Sequence, residues 1–138
     1  MKDINTLLNM IKVKPALYLG KFSITRLCMF IHGYTWAILD YTDSDDVGKP
    51  LGQLTWHLTH KYRIRESLDW CGILLSIKIG DEEEALSLFW DEWDDFVSKP
   101  CTCPQEHWDS SGKIVWRYCR DFAPIEQTSE YRDMKSTE

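Results

Sequence analysis

Two histidines occur where a helix would bring their rings together, at positions 57 and 60 of the 138-residue sequence. Residues three apart on a helix are surface neighbours, and such pairs do occur among zinc ligands. The zincin motif instead needs a spacing of four with a Glu directly after the first histidine, and Leu58 follows His57 here. We therefore interpret His57 and His60 as structural histidines, and a metalloprotease is not predicted.

A second set of potential ligands lies in the C-terminal third and consists of Cys101, Cys103, His107 and Cys119. Three thiols and one imidazole are enough to hold a structural zinc ion. Their spacing is not that of a standard zinc knuckle, and a loop with two free thiols is the simpler interpretation. A non-enzymatic adaptor or regulatory protein with a structural zinc at this cluster is the alternative function.

Sequence patterns typical of other catalytic sites are missing. The seven glycines are isolated from one another, so no phosphate-cradling loop is formed, and no serine lies in a nucleophile-elbow motif. Carboxylates are numerous, but we expect all of them to be exposed to water. Acid–base catalysis by two carboxylates needs an environment that raises the pKa of one above that of the other, and exposed carboxylates lack it. The sequence favours a protein that is not an enzyme, with no cofactor, no bound metal and no small-molecule substrate.

One short segment makes this protein acidic. The chain has 16 Lys and Arg against 22 Asp and Glu, a net charge of −6, and eight of the carboxylates lie within residues 81–95, which contain no Lys or Arg. The remaining residues carry a small positive balance. Nucleic-acid binding is disfavoured, because it would need a basic surface to replace the counterions of the phosphates.

The elements that must position these side chains are predicted to be helices, because apolar residues recur at helical spacing along most of the chain. The pattern predicts an all-α, compact single-domain bundle of about five to seven helices within residues 1–125, with a less regular C-terminal segment. A polar, flexible tail is expected at 126–138. Residues 70–79 are predicted to form a buried helix, although an alternation of apolar residues near their end is also compatible with a strand.

The cysteines and the tryptophans of the chain lead to two further expectations. No uncharged stretch is long and apolar enough to span a bilayer, and the odd number of cysteines, five, is typical of a cytoplasmic protein with free thiols. Seven tryptophans are many for this length, and such rings either fill a small core or anchor an interface. Composition does not choose between these two roles.

The acidic segment is predicted to be a helix that starts after Gly80, with an apolar stripe through Leu86, Phe89 and Trp93. Carboxylates in its first turn favour the helix dipole, whereas the four in its second half oppose it. Helix stability therefore does not explain why those four acids are there.

The outward face of this helix suggests a binding surface. At about 100° per residue, Glu84, Asp91 and Asp95 fall opposite the apolar stripe, and Leu88 lies between them. A water-facing apolar residue ringed by acids fits contact with a basic partner protein, since the charges also speed association. The predicted partner-binding residues are Glu84, Leu88, Asp91, Glu92 and Asp95, with a possible second contact at Asp43, Asp45 and Asp46.

Several structural motifs resemble a family of small bacterial immunity proteins from contact-dependent growth inhibition and related polymorphic toxin systems. They are IKVKPALYLG at 11–20, SITRLCMFIHGY at 23–34, GDEEEA at 80–85 and LFW at 88–90. The similarity covers residues 4 to 97, and the stretch after Pro100 has no counterpart. The motifs describe turns and helices and carry no catalytic meaning.

The resemblance implies a cytoplasmic, non-enzymatic protein that binds and neutralises one cognate toxin C-terminal domain. Such toxins are very often nucleases, with an RNase as the specific expectation here. A nuclease must be basic around its active site to approach a polyanion, so an acidic inhibitor can cover that cleft. The charge distribution and the lack of a long apolar stretch predict that neither nucleic acid nor a membrane is a partner.

Overall fold

Six α-helices make up most of the chain that the computed structural model describes, which is residues 2–98 together with the backbone of 105–108 and 114–117. In chain order they are α1 (Ile4–Val13), α2 (Pro15–Leu19), α3 (Ile24–Thr42), α4 (Lys49–Lys61), α5 (Trp70–Ile77) and α6 (Glu82–Ser98). The prediction of an all-α bundle of five to seven helices is confirmed. The segment predicted from Trp70 is a helix and not a strand, but it ends at Ile77, and Ile79, which was predicted to be buried, has a φ of 54° and is 93% exposed.

The C-terminal segment contains two short strands that the sequence pattern did not indicate. Strand β1 (Gln105–Trp108) pairs antiparallel with β2 (Ile114–Arg117), so that Gln105 lies opposite Arg117. Residues 114–117 are rich in β-branched and aromatic types, which suit a strand better than a four-residue helix. The predicted tail at 126–138 lies outside the described residues.

Local polar residues start and stop the helices. Asp3, Ser23 and Asp69 are the N-caps of α1, α3 and α5, and each side chain accepts the backbone N–H three residues on, at 2.7, 3.2 and 2.8 Å. Gly20 and Gly80 have positive φ, 77° and 81°, where glycine costs least strain, and they end the segments before α3 and α6. The sequence thus determines these boundaries through residues within a few positions of each one.

The core forms where α3, α5 and α6 pack on one another, with α4 against α5 and α2 against α3. Its fully buried side chains are Ile4, Leu8, Ile11, Ile24, Leu27, Ile31, Leu54, Leu58, Ile73, Leu74 and Phe89. All of these were apolar positions of the helical pattern. Burial of such side chains from water is the main force that holds the helices together.

Glu82 fastens the start of α6 to the start of α3. Its Oε2 accepts hydrogen bonds from Ser23 Oγ and the Thr25 backbone N–H, each at 2.9 Å, and its Oε1 accepts one from Thr25 Oγ1 at 2.6 Å. Hydrogen bonds from Thr25 hold the pKa of Glu82 below its usual value of 4.5. The helix dipole alone would explain an acid at this position, but Glu82 also links α6 to α3, a helix more than 50 residues earlier in the chain.

Replacing Glu82 by Gln is expected to lower the free energy of unfolding by about 1–2 kcal/mol at neutral pH, because charge-assisted hydrogen bonds are lost. The pKa of Glu82 is lower in the folded state, so its charge contributes fully above about pH 4.5, and that contribution is lost as pH falls through the folded pKa. Urea denaturation from about pH 7 to about pH 2 should show the two proteins converging at acid pH.

The matched control is Glu83→Gln, which removes the neighbouring, exposed carboxylate of the same helical turn. We expect it to change stability by less than about 0.5 kcal/mol at neutral pH. An equal loss for both variants would contradict the role of Glu82.

Candidate partner-binding surface

The acidic helix α6 keeps part of its predicted outward face in water. Glu84 and Asp91 are exposed, and Asp95 also lies at the surface. Asp94 is exposed as well, but its Oδ2 accepts a hydrogen bond from Lys12 Nζ of α1 at 2.8 Å. Three of the five contact residues predicted on α6 are therefore within reach of a partner.

Glu92 does not face water, and its predicted exposure is wrong. Its side chain is 5% exposed, and both carboxylate oxygens accept hydrogen bonds from Lys61 Nζ at 2.8 Å. The hydroxyl of Tyr62 donates to Oε1 as well. The reason is helical spacing: Glu92 lies three residues after Phe89 and four before Phe96, both buried, so it belongs to the inward stripe.

Leu88 is not an apolar residue isolated in water, and that prediction is wrong too. It is half-buried and packs against the hydrophobic core. Leu88 lies one turn before Glu92, on the same flank of α6. Without an exposed apolar centre, the α6 face is a set of solvated acids, and a lasting interface normally has an apolar core.

A polar network surrounds Glu92 inside the fold. His57 is 3% exposed, and one ligand atom each from His57, Glu92 and Asp95 lies within 4.8 Å of the others. A cation at this point would have to displace the Lys61 ammonium, since that group already binds both Glu92 oxygens. Burial, and then the Glu92 carboxylate, raise the pKa of Tyr62, so its hydroxyl keeps its proton and remains a donor.

The histidines at 57 and 60 have structural surroundings, as the sequence indicated. The His57 ring lies 5.7 Å from the ring of Phe96, and the His60 ring stacks on Trp56 at 5.7 Å.

The structure does not test the alternative function, which needs a zinc ion at the C-terminal cysteines and His107. Cys101, Cys103 and Cys119 lie outside the described residues, and only the backbone of His107, in β1, is described.

Two other cysteines, Cys28 of α3 and Cys71 of α5, are buried free thiols, in agreement with the sequence-based expectation for helix-interior cysteines. The Cys71 thiol also donates a hydrogen bond to the carbonyl of Ile24 at 3.7 Å. A hydrogen bond between the two thiols holds the pKa of Cys28 below its usual value, while that bond and burial raise the pKa of Cys71.

A groove between α3 and α4 has the apolar centre that α6 lacks. This partner groove is open, has a volume of about 640 Å³, and is lined by His32, Thr35, Trp36, Leu39, Asp45, Gly48, Lys49 and Gly52. Trp36 is 70% exposed and Leu39 is 42% exposed. Trp70 and Trp93, by contrast, are buried in the core, which is one of the two roles that composition allowed.

Gly52 lines the partner groove from the α4 side. A Cβ at this position would meet no atom within 4 Å, so packing does not require a glycine there. Glycine inside a helix costs about 0.5–1 kcal/mol relative to alanine. Alanine would therefore suit the helix better at this position, which lines the same groove as Trp36.

The second predicted contact set lies beside this groove. Asp43, Asp45 and Asp46, named here the acidic loop, are all exposed, and Asp45 is part of the groove wall. Asp46 accepts a hydrogen bond from Lys49 at 2.8 Å, which holds the pKa of Asp46 below its usual value. The structure thus brings together the acidic loop and an exposed tryptophan, and leaves the α6 acids as a separate set.

Comparisons with known proteins add nothing to this geometry. No protein-family model, curated protein or solved structure matches this chain. The resemblance to immunity proteins consequently stays a prediction. In the part of the chain that the structure describes, no helix has the length and apolar character needed to cross a membrane.

The sequence reasoning missed Trp36, Leu39 and Gly52. A signal for the first two was present, because both fall outside the apolar stripe that runs through Ile31 and Ile38 of α3, which are buried. The place of Gly52 in the groove depends on how α3 and α4 pack against each other. Neighbouring residues in the sequence do not determine that packing.

Proposed function

We propose that this protein is an immunity protein that binds a basic toxin domain at the partner groove and thereby neutralises it. The observation that carries the proposal is an exposed tryptophan in an open groove whose wall continues into the acidic loop. The motifs that resemble immunity proteins support the same function. The site differs from the one predicted on α6.

The shape of the partner groove favours a protein over a small molecule. Sites for small ligands enclose most of the ligand surface, whereas Trp36 is 70% exposed beside an open groove. Tryptophan is enriched among the few residues that carry most of the binding energy of protein interfaces. We therefore assign Trp36 and Leu39 as the apolar anchors of the contact.

The charges at the rim favour a basic partner. Residues 40–46 contain four aspartates and no Lys or Arg, and although Lys49 pairs with Asp46, the rim keeps a net negative charge. Rim charges of one sign attract a partner of the opposite sign and raise its association rate. In this proposal the acidic loop makes the direct contacts, and Glu84, Asp91 and Asp95 on α6 add attraction at longer range.

Inhibition by this route needs no chemistry from the immunity protein. A nuclease toxin carries a basic cleft for its nucleic-acid substrate, and a bound acidic protein can occlude that cleft. The complex would form in the cytoplasm, where the toxin would act. The preferred toxin class is an RNase.

The test uses the toxin domain encoded immediately before this gene, since immunity genes follow their toxin genes in such systems. We expect Trp36→Ala to weaken binding at least about 30-fold, as befits an interface anchor worth about 2 kcal/mol. We expect Gly52→Phe to weaken it as strongly, because the new ring fills the groove while all other groove residues stay. Calorimetry and inhibition of toxin activity provide the measurements.

Matched controls separate the partner groove from other surfaces. Phe22→Ala removes an aromatic side chain that is 52% exposed before the start of α3, outside the groove and its rim, and affinity should stay unchanged. Asp45→Asn should lower the association rate and its salt dependence more than Asp91→Asn does. Wild-type affinity for Trp36→Ala and Gly52→Phe would exclude the groove. Absence of any binding to the neighbouring gene product would contradict the immunity function itself.

A further inference from the structure

A thiol, an imidazole and a carboxylate meet at the surface between α3 and the start of α5. They belong to Cys28, His32 and Asp69, whose ligand atoms all lie within 4.8 Å of one another. The Cys28 Sγ is 3.9 Å from both ring nitrogens of His32 and 4.0 Å from Asp69 Oδ2. None of these residues belongs to the network around Glu92.

The distances suit a tetrahedral cation. With metal–ligand bonds of about 2.0–2.3 Å, neighbouring ligand atoms of a zinc site lie about 3.3–3.8 Å apart. The observed separations from Sγ are longer by only a few tenths of an ångström. Because Sγ is equally far from both ring nitrogens, binding also requires the exposed His32 ring to turn one nitrogen toward the cluster, with a small shift of the exposed Asp69.

Local structure already orients two of the three groups. Cys28 and His32 are four residues apart on α3, so their side chains lie on the same helical face. Asp69 uses its Oδ1 to cap α5, accepting the Gly72 N–H at 2.8 Å, and this bond directs Oδ2 toward Cys28. A ligand held by a second hydrogen bond is the usual arrangement at metal centres.

The position of the three groups leaves one side open. Cys28 is buried at the base of the cluster, whereas His32 and Asp69 are exposed. A cation can therefore enter from solvent and keep one coordination position for water or another ligand, as in zinc sites with three protein ligands.

We propose that Cys28, His32 and Asp69 form a binding site for a zinc-class divalent cation, with a fourth position open to solvent. A mixed sulfur, nitrogen and oxygen ligand set is typical of Zn²⁺ and of its spectroscopic substitute Co²⁺, and disfavours Mg²⁺ and Ca²⁺, which prefer oxygen alone. The site does not depend on the proposed function.

The experiment titrates Co²⁺ into the reduced full-length protein and records the absorption that arises from charge transfer between thiolate and cobalt. A variant with Cys101, Cys103 and Cys119 all changed to Ser serves as the parent, because Cys28 and Cys71 are then its only thiols. We expect one Co²⁺ per chain with this absorption, and displacement of Co²⁺ by Zn²⁺.

Two surface variants of that parent test the assignment. His32→Ala and Asp69→Asn are each expected to weaken Co²⁺ binding at least about tenfold. The second retains an N-cap, because Asn caps helices about as well as Asp, so a change in folding would not explain the loss. Cys71→Ser should keep the charge-transfer absorption.

Two results would overturn the site. The first is the absence of thiolate absorption in the triple-serine parent, which would place any metal binding at the C-terminal cysteines. The second is unchanged Co²⁺ affinity in both His32→Ala and Asp69→Asn.

Discussion

Replacing Phe89 by alanine is expected to lower the free energy of unfolding by about 3–5 kcal/mol, the range for a buried aromatic side chain in a core. Phe89 is fully buried, and its ring centroid lies 5.0 Å from those of Trp70 and Trp90 and 6.1 Å from that of Trp93. The substitution leaves a cavity among three tryptophans, and large rings cannot collapse into it without moving α5 or α6.

Urea denaturation followed by tryptophan fluorescence measures the effect directly. Phe22→Ala is the matched control, because the Phe22 side chain is 52% exposed, and its loss should cost no more than about 1 kcal/mol. A loss for Phe89→Ala no greater than that of Phe22→Ala would show that α6 does not pack as described.

Replacing Lys61 by methionine is expected to cost about 2–4 kcal/mol, since it leaves the Glu92 carboxylate buried without its cation. The Glu92 side chain is 5% exposed, so its carboxylate is shielded from water, whereas the Lys61 side chain is 33% exposed. Methionine has nearly the length and volume of the lysine stem, which limits any effect of lost packing. The Tyr62 hydroxyl would still donate to Glu92.

A second lysine of the same chain provides the control. Lys12 contacts Asp94 at the same 2.8 Å, but the two side chains are 42% and 58% exposed. Lys12→Met should therefore change stability by less than about 1 kcal/mol, as exposed pairs do. Thermal or urea unfolding of both variants decides the matter. If the two losses are equal, Glu92 is not the buried partner that the structure shows.

Local sequence information determined the helices and their limits. Asp3, Ser23 and Asp69 cap the helices that follow them, and Gly80 breaks the chain before α6, because these effects involve residues only a few positions apart. The apolar stripe of α6 through Leu86, Phe89 and Trp93 is buried as predicted, since amphipathic spacing reports which side of a helix faces the core.

The spacing of apolar residues on α6 also indicated that Glu92 faces the core, although its charge suggested exposure to water. Its spacing from Phe89 and Phe96 places it on the inward stripe, whereas grouping the acids by charge placed it in water. A carboxylate can occupy that stripe only if a cation reaches it, and Lys61 lies 31 positions away in the chain. Position on a helix was thus readable, but the compensating partner was not.

By itself, the sequence determined that the chain forms a helical bundle with an acidic character concentrated near α6. Only the tertiary structure decided which acids are accessible, and it placed the exposed Trp36 beside the acidic loop across the α3–α4 groove. It also brought Asp69 to within 4.0 Å of Cys28, 41 positions earlier. The physical reason is that helix formation depends on neighbouring residues, whereas a groove or a ligand cluster depends on how separate helices pack.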